Sequence, residues 1–205
     1  PVNPLLPGPE SVEHARHALA SGQLAILPTD TVYGLTADVR NDDAVRAIYA
    51  AKHRSPAFPL QLLFGRDPAM IDRFAIMNAS ARKLVEALGP GGGTIIVPAK
   101  DGWDSPALSG GRTGGFRMVP VDLTLDVIDA LGSPVAASSA NIAQGQSPTT
   151  CAEAIAQVGD SCAVAIDAGT TAEGIDSTVI DLSGPEPQVL REGAIDRATV
   201  ARILG

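Results

Sequence analysis

Two cations near a predicted helix end are the residues best suited to chemistry in this sequence. Lys52 and Arg54 flank His53 and are followed by Pro56 and Pro59. Prolines restrict the backbone here, and an arginine fork beside a lysine point charge suits the oxygens of a polyphosphate. Cations in the last turn of a helix also interact favourably with the helix dipole. The sequence therefore leaves a phosphate site and a purely structural pair as open alternatives.

Hydroxyl and amide side chains follow two predicted strands. Pro28–Leu35 contains two threonines close to Gly34, and Ser138–Asn141 is followed by Ser147. Open α/β sheets tend to bind ligands where strands end, and small polar side chains there can bond phosphate oxygens. The same composition also occurs in turns whose hydroxyls bond their own backbone, which remains the alternative interpretation.

Several known catalytic arrangements are absent from the sequence. The glycine-rich segment Gly89–Thr94 lacks the Gly-Lys-Ser/Thr ending of a P-loop and precedes a strand rather than a helix. His14 and His17 have no third metal ligand nearby. No cysteine–histidine pair or Gly-x-Ser-x-Gly elbow indicates nucleophilic catalysis. We therefore predict positioning and charge neutralisation rather than covalent catalysis, and no metal site built by the protein.

Strand-like and helix-like patterns alternate along the chain, which predicts one α/β domain over residues 1–205 with a mixed sheet. The long irregular segment Lys100–Gly115 is predicted to be a functional or mobile loop. The predicted helices are Ser11–Ala20, one capped by Asn41 or Asp42, Ala79–Leu88, Leu123–Leu131, Thr150–Val158 and Arg197–Leu204. The predicted strands are Leu24–Leu27, Leu60–Phe64, Thr94–Val97, Phe116–Val119, Pro134–Ala137, Ala163–Ile166, Ser177–Asp181 and Gln188–Leu190.

The composition limits the class of protein. The 205 residues are 45% hydrophobic, enough for a buried core, and the formal net charge is −8. An acidic chain argues against tight independent binding to nucleic acid or to an anionic membrane. No apolar run reaches the roughly 18 residues of a membrane span, and no secretory signal is visible. Cys151 and Cys162 are typical of free thiols in a reducing compartment, so we expect a cytoplasmic protein.

Seven segments, taken in this order, resemble the YrdC family of threonylcarbamoyl-AMP synthases. Each segment alone is weakly specific, but their common order and compatible spacing across nearly the whole chain are highly specific. The segments are Pro28–Leu35, Lys52–Leu60, Pro90–Thr94, Phe116–Pro120, Ser138–Thr149, Asp176–Leu182 and Leu190–Ile195.

The resemblance implies a YrdC-like twisted mixed sheet, with helices, around a large concave pocket. It implies a reaction in which the amine of L-threonine is carboxylated with bicarbonate or CO2, and the carbamate then attacks the α-phosphate of ATP. Pyrophosphate leaves, and a partner transferase passes the threonylcarbamoyl group to an adenosine of tRNA. Mg2+ is expected to accompany ATP, while contact of this chain with tRNA is expected to be weak or indirect.

The site residues are assigned by their match to the family motifs. The resemblance implies that Lys52 and Arg54 hold the ATP phosphates and counter the charge that builds up as pyrophosphate leaves. It implies that Arg117 clamps the threonine carboxylate. Because carbamates decompose readily, Lys100–Gly115 is the candidate for a lid that excludes water. Further ATP contacts are expected from Thr113, Ser139, Asn141, Ser147 and Arg191, and further threonine contacts from Thr31, Ala137 and Ser177.

Four positions depart from the family pattern, among them Thr36 and Gly92, and two of the four bear on ligand contacts. Phe58 stands where many members have an asparagine facing ATP, and Leu63 stands where some have a histidine near threonine. Two other functions remain as alternatives: a carbamoyl-adenylate synthase that uses carbamoyl phosphate, and a non-catalytic RNA-binding or ribosome-assembly factor. The net charge of −8 disfavours the second of these.

Overall fold

One mixed β-sheet runs through the computed structural model, which describes residues 2–172 and 174–205. Within those residues the strands are β1 Pro4–Leu5, β2 Leu24–Pro28, β3 Tyr33–Asp38, β4 Gln61–Leu63, β5 Gly93–Pro98, β6 Thr113–Arg117, β7 Val135–Ser139, β8 Cys162–Ile166, β9 Thr178–Asp181 and β10 Gln188–Arg191. Their order across the sheet is β1-β8-β2-β3-β7-β4-β6-β5-β9-β10. The pairs β1–β8, β2–β8, β4–β6 and β5–β9 are parallel, and the other neighbours are antiparallel. The predicted α/β class with a mixed sheet is confirmed.

Helices flank this sheet, and side-chain caps define where several of them begin. Asn41 accepts a hydrogen bond from the backbone N–H three residues later at 2.9 Å, so it is the cap of the second helix. Asn78, Thr150 and Asp196 cap three other helices in the same way. In the described residues, no helix is long and apolar enough to cross a membrane. The helices are α1 Pro9–Ala20, α2 Asp42–Lys52, α3 Ala79–Leu88, α4 Asp122–Leu131, α5 Cys151–Val158 and α6 Arg197–Leu204.

The two faces of the sheet carry separate apolar cores because strand side chains alternate in direction. Ile26 of β2 packs in the core that includes α2, α3, α5 and α6, whereas Leu27 packs in the core that includes α1 and α4. Leu62 and Leu63 of β4 divide between the two cores in the same way. Gln61 lies on the same face as Leu63 but is exposed, so α1 and α4 leave the start of β4 uncovered.

No strand is predicted at Tyr33–Asp38, yet these residues form β3. All six are buried, which removes the polar–apolar alternation by which a half-exposed strand is predicted. The segment Pro28–Leu35 is therefore partly a turn and partly a central strand of the sheet.

The predicted loop Lys100–Gly115 is more ordered than expected. Residues 106–108 form a short 3-10 helix, two of whose residues are buried, and β6 already begins at Thr113 rather than at Phe116. The two glycines of this strand obscure it in the sequence. A Cβ on Gly114 would lie 3.0 Å from Leu62 of the neighbouring strand, so a side chain there would have to displace it.

Strand register brings several predicted site residues to one place. Arg117 of β6 pairs with Leu63 of β4, and Gln61 of β4 pairs with Ala137 of β7. Ser139 is two residues further along β7 and therefore points to the same face. These side chains lie on the face of the sheet that α1 and α4 cover, at the end of that face that the two helices leave exposed.

The buried phenol of Tyr33 ties β3 to the chain that follows β8. Its hydroxyl donates to the Gly169 carbonyl at 2.6 Å and accepts from the Ala168 N–H at 3.0 Å. Replacing Tyr33 by Phe removes the partner of both backbone groups, so we expect the free energy of unfolding to fall by about 1–3 kcal/mol. Urea unfolding followed by circular dichroism measures this change. An unchanged midpoint at an unchanged slope would contradict it.

Candidate functional site

A cavity of about 260 Å³ opens at this uncovered end of the sheet. Its walls come from the turn between β2 and β3, from the segment after α2, and from β4, β6 and β7. Five of the predicted site residues line it: Thr31, Arg54, Arg117, Ala137 and Ser139. The other lining residues are Thr29, Val32, Gly34, Pro59, Leu60, Gln61, Leu63 and Ser138.

The end of α2 directs Arg54 into the cavity wall. His53 ends the helix in the left-handed conformation, with φ at 50°, and the Arg54 N–H donates to the Tyr49 carbonyl at 2.9 Å. Beyond this reversal, Arg54 Nη1 donates to the Ser138 hydroxyl at 3.1 Å and Nη2 to the Pro59 carbonyl at 3.0 Å. The guanidinium is thus held between β7 and the loop that precedes β4.

Lys52, the last residue of α2, is nearly fully buried and lies behind the cavity wall rather than in it. Its ammonium donates to the backbone carbonyls of Ser139 and Asn141, the second at 2.6 Å. Burial, with a smaller contribution from the charge of Arg54, lowers the pKa of Lys52 to about 8. These two bonds account for two of the three N–H donors of the ammonium.

Arg117, at the end of β6, forms a buried ion pair with Asp30 of the β2–β3 turn. Its Nη2 donates to both carboxylate oxygens, at 2.9 and 2.7 Å. The two side chains are only 6% and 16% exposed. Separating such a pair would leave a buried charge uncompensated, which is strongly unfavourable. The ion pair therefore holds the guanidinium in one position.

The turn between β2 and β3 is shaped by its threonines. The Thr29 hydroxyl donates to the Val32 carbonyl at 2.6 Å and accepts from the backbone N–H groups of Thr31 and Val32, both at 3.2 Å. For Thr29, the interpretation of a hydroxyl bonding its own turn is therefore correct. Among the described residues the Thr31 hydroxyl has only a long contact of 3.3 Å to Thr29, which leaves it able to bond a ligand.

Three buried polar atoms at or next to this cavity have no hydrogen-bond partner. Across the part of the chain that the structure describes, these are Nε of Arg54, Nε of Arg117 and Oδ1 of Asn141. The Asn141 amide nitrogen already donates to the Ile142 and Gly145 carbonyls, so its oxygen is the free end. An unpaired buried polar group costs about 1–3 kcal/mol. The clustering of all three indicates a polar ligand that would complete these bonds.

Ser177 and Arg191 adjoin the site without lining the cavity. Thr94 of β5 pairs with Arg117 of β6, and the Thr94 hydroxyl lies 2.6 Å from the Ser177 hydroxyl. Arg191 of β10 donates to the Ser177 carbonyl from Nε at 3.1 Å and from Nη2 at 2.8 Å. Arg191 therefore contacts Ser177, and Ser177 contacts Thr94, the residue paired with Arg117.

Thr113 and Ser147 are exposed and do not line the cavity. Thr113 begins β6 and Arg117 ends it, so the two lie on one face about 13 Å apart along the strand. Ser147 precedes Pro148, whose carbonyl accepts from the Tyr33 N–H at 2.9 Å beside the start of β3. Either residue could touch a bound ligand only where that ligand extends beyond the cavity.

Positive charge dominates the site although the net charge of the chain is −8. Arg54 and Arg117 line the cavity, Lys52 lies behind it, and Asp30 is in an ion pair with Arg117. Local cations in an acidic protein concentrate an anionic ligand and orient it. The described residues contain no group of three or more His, Cys, Asp or Glu side chains that could hold a metal ion. The arrangement is suited to binding anions and to stabilising developing negative charge.

Among the larger clefts elsewhere are two with volumes of about 620 and 630 Å³. The first is mostly apolar, and its Arg66 is already paired with Asp122, Asp126 and Asp129. The second lies beside His14 and His17 on α1. None of the three buried unpaired atoms belongs to a residue of either cleft, so charge and hydrogen-bonding capacity, rather than size, identify the candidate site.

Asp30, Ser138 and Thr94 contact predicted site residues but were not themselves predicted. Asp30 had a signal in the sequence, since it is the acidic residue between two threonines of the first motif. Ser138 begins the polar segment Ser138–Asn141. Thr94 ends the segment Pro90–Thr94, but only the register of β5 against β6 places it opposite Arg117.

The chain is similar to proteins of one family over most of its length. The family model described as "Sua5_yciO_yrdC: Telomere recombination" matches residues 17–193. A Mycobacterium tuberculosis protein whose name assigns it to the threonylcarbamoyl-AMP synthases is 35% identical over 190 residues, covering 92% of this chain and 86% of that protein. The threonylcarbamoyl-AMP synthase of Bacillus subtilis is 32% identical over 195 residues, covering 95% of this chain and 56% of the relative.

Solved structures give the same picture. Sua5 from P. abyssi complexed with L-threonine has a TM-score of 0.86 at 30% identity, covering 95% of this chain and 57% of that one. YciO from E. coli has a TM-score of 0.79 at 22% identity, covering 96% of this chain and 97% of that one, which shows likeness of fold alone. This chain spans little more than half the length of the B. subtilis and P. abyssi relatives.

We expect Lys52 to titrate near pH 8. The chain has only three lysines, and Lys83 and Lys100 are exposed, so labelling lysine with 13C at Cε gives few NMR signals. The signal lost in Lys52→Met should have its midpoint at about 8. Between that pH and the ordinary lysine pKa of roughly 10.4, Lys52 is largely protonated in the unfolded chain and largely neutral in the folded protein. The free energy of unfolding should therefore increase as the pH rises through this range. A midpoint near the ordinary value would contradict the burial of the ammonium.

Proposed function

Because the chain belongs to the Sua5–YciO–YrdC family, we propose that it makes threonylcarbamoyl-AMP and pyrophosphate from L-threonine, bicarbonate or CO2, and ATP. The α-amine of threonine attacks CO2 and loses a proton, which gives a carbamate. A carbamate oxygen then attacks the α-phosphorus of ATP, and the bond from that phosphorus to the bridging oxygen of pyrophosphate breaks. The reaction is an adenylyl transfer to an acyl oxygen.

The observation that carries this proposal is the group of unpaired polar atoms among local cations. Nε of Arg54 and Nε of Arg117 are buried donors, and Oδ1 of Asn141 is a buried acceptor. Two anionic groups, a phosphate and an amino-acid carboxylate, would each supply oxygens to one of the arginines. The site can therefore bind both anions of the reaction side by side.

The phosphate half of the proposed site is built on the end of α2. Arg54 lines the cavity, and within the described residues its Nε has no partner, while Lys52 has one N–H beyond its two carbonyl bonds. Donors that are fixed before the reaction can stabilise the charge that develops on departing pyrophosphate without reorganising. Ser139 and Asn141, at and after the end of β7, would complete the phosphate contacts.

The amino-acid half is built on β6 and the β2–β3 turn. Arg117 would bind the threonine carboxylate, since it lines the cavity and its Nε has no partner among the residues that the structure describes. The Thr31 hydroxyl, with one long contact to Thr29, would bond the ligand, and Ala137 is small enough to leave room for the amino acid. Ser177 would contact threonine from the side of Thr94, to which its hydroxyl is already bonded.

The cavity is too small to enclose the whole nucleotide. Its volume of about 260 Å³ is below the roughly 300–1,000 Å³ that normally encloses a drug-sized ligand. We therefore place threonine and the reacting phosphate inside it, with the remainder of ATP extending outward. The exposed Thr113, Ser147 and Arg191 could contact the nucleotide only in that outer part.

Mg2+ would accompany ATP rather than occupy a cage built by the protein. Among the described residues no carboxylate lines the cavity, and both oxygens of Asp30, which contacts the lining residue Arg117, accept bonds from that arginine. Mg2+ commonly keeps several waters and takes its other ligands from substrate phosphates. When bound, the ion would neutralise part of the triphosphate charge.

The proposed product requires a second protein. A mixed anhydride of a carbamate and AMP is an activated acyl donor, so a transferase would pass the threonylcarbamoyl group to tRNA. We propose a cytoplasmic location, where ATP and tRNA are available, and at most weak direct contact with tRNA, because the net charge is −8.

Pyrophosphate release tests the proposed function. We expect release from ATP to require both L-threonine and bicarbonate, and labelled bicarbonate to appear in an adenylate. A panel of other amino acids serves as the control for specificity. Release that depends on carbamoyl phosphate instead would replace the proposal with a carbamoyl-adenylate synthase, and folded protein that binds ATP without any release would reject synthesis altogether.

Replacing Arg54 by Ala should lower kcat by about 100-fold to 1,000-fold, the usual loss for a donor that stabilises transition-state charge. Arg46→Ala is the matched control, because Arg46 lies on α2, the helix that precedes Arg54, is exposed and forms a surface ion pair with Asp43. Steady-state kinetics of pyrophosphate release compares the two variants. Turnover by Arg54→Ala within threefold of Arg46→Ala would remove Arg54 from the phosphate site.

A further inference from the structure

Asp30 is a nearly buried carboxylate that the proposed reaction leaves without a role. It lies between two residues that line the cavity, Thr29 and Thr31, and it contacts a third, Arg117. An isolated buried charge is costly, so the position of this one needs a physical reason. Its ion pair with Arg117 is the place to look for that reason.

The geometry of this pair is uneven. A single nitrogen of the guanidinium, Nη2 of Arg117, donates to both oxygens of Asp30. Nε of the same guanidinium is buried and, among the residues that the structure describes, has no partner. A fully structural arginine–carboxylate pair commonly uses two parallel bonds from two nitrogens. Here the carboxylate holds one corner of the guanidinium and leaves another donor unused.

The carboxylate is itself fixed by the turn that carries it. The Asp30 carbonyl accepts from the Gly174 N–H at 2.9 Å, and the Thr31 carbonyl accepts from the Thr171 hydroxyl at 2.7 Å. A Cβ on Gly174 would lie 3.1 Å from an Asp30 carboxylate oxygen, so the two segments are in close contact. The turn thus presents the carboxylate from a rigid position.

We propose that Asp30 is a positioning residue for substrate recognition: it orients Arg117 so that the unused Nε faces the carboxylate of the amino-acid substrate. This inference rests on the proposed function, because it takes Arg117 to bind that carboxylate. Asp30 itself does not touch the substrate. It restricts the long arginine side chain before the substrate arrives, which reduces the entropy lost on binding.

The charge of Asp30 has a second consequence for the same step. Before the substrate binds, the negative charge of Asp30 compensates the positive charge of the guanidinium, so Arg117 can be buried with a partner. A group that acted only as a competing anion would weaken substrate binding, and its removal would strengthen it. A positioning group has the opposite signature, because its removal frees the guanidinium to turn away from the substrate.

The test measures the Kd of L-threonine by calorimetry, with bicarbonate and a non-hydrolysable ATP analogue, in four proteins: wild type, Asp30→Ala, Arg117→Ala and the double variant. We expect Asp30→Ala to raise the threonine Kd by between about 10-fold and 100-fold, the size of a misplacement effect. The Kd of the ATP analogue should stay within twofold. In the Arg117→Ala background, Asp30→Ala should add no further loss.

Two additional variants keep the test decisive. Asp30→Asn retains a carbonyl oxygen for Nη2 and should lose less affinity than Asp30→Ala, and it replaces the alanine variant if that protein does not fold. Asp38→Ala is the matched control, because the Asp38 side chain is 5% exposed and forms an ion pair with Arg40 at the other end of β3, outside the cavity. The control should leave the threonine Kd unchanged.

Each remaining outcome contradicts the inference. Unchanged or tighter threonine binding in Asp30→Ala would make Asp30 a bystander or a competitor, and an equal loss with and without Arg117 would mean that Asp30 acts independently. If wild type binds the ATP analogue but not threonine, the proposed function fails, and the NMR signal of the Arg117 Nε–H still tests the positioning. That signal should be sharp in wild type and broadened in Asp30→Asn; identical signals would overturn the inference.

Discussion

The buried ammonium of Lys52 is the interaction on which the candidate site depends. Placing a cation at the end of α2 among apolar residues is costly, and the carbonyls of Ser139 and Asn141 offset that cost by accepting its hydrogen bonds. These bonds join the helix to the end of β7. They also fix the loop that carries Asn141, whose side-chain amide oxygen has no partner in the described part of the chain. Because Arg54 follows only two residues later, the same anchor sets where the first cavity arginine lies.

The site is organised as two cations that are each held by neighbouring groups of the protein. Arg54 is held by a hydroxyl and a carbonyl, and Arg117 is held by the carboxylate of Asp30. Each keeps one buried nitrogen without a partner in the described residues. A binding site of this kind has its electrostatic field in place before the ligand arrives, so little reorganisation is needed during the reaction. This also explains how an acidic chain can be built to bind anions.

The sheet supplies the rigid frame for these groups. Central strands β7, β4 and β6 contribute neighbouring residues on one face, and the turn before β3 closes the site from the side. Helices α1 and α4 cover the rest of that face and bury its apolar residues. The relatives that share this fold include proteins named for threonylcarbamoyl-AMP synthesis, and one of the solved structures contains L-threonine. The fold and the local chemistry therefore agree.

Local patterns in the sequence were sufficient for the fold class, for most helices, and for the motifs that carry the site. Caps such as Asn41 and the apolar strands are encoded by neighbouring residues, so they could be predicted without the tertiary structure. The roles of all the site residues stay predictions, and Thr113, Ser147 and Arg191 lie outside the cavity walls. Strand β3 and the ion-pair partner of Arg117 could not be predicted from local patterns, because both depend on contacts between segments that are distant in the sequence. Complete burial removed the local pattern of β3, and only the folded sheet places Asp30 against an arginine 87 residues away.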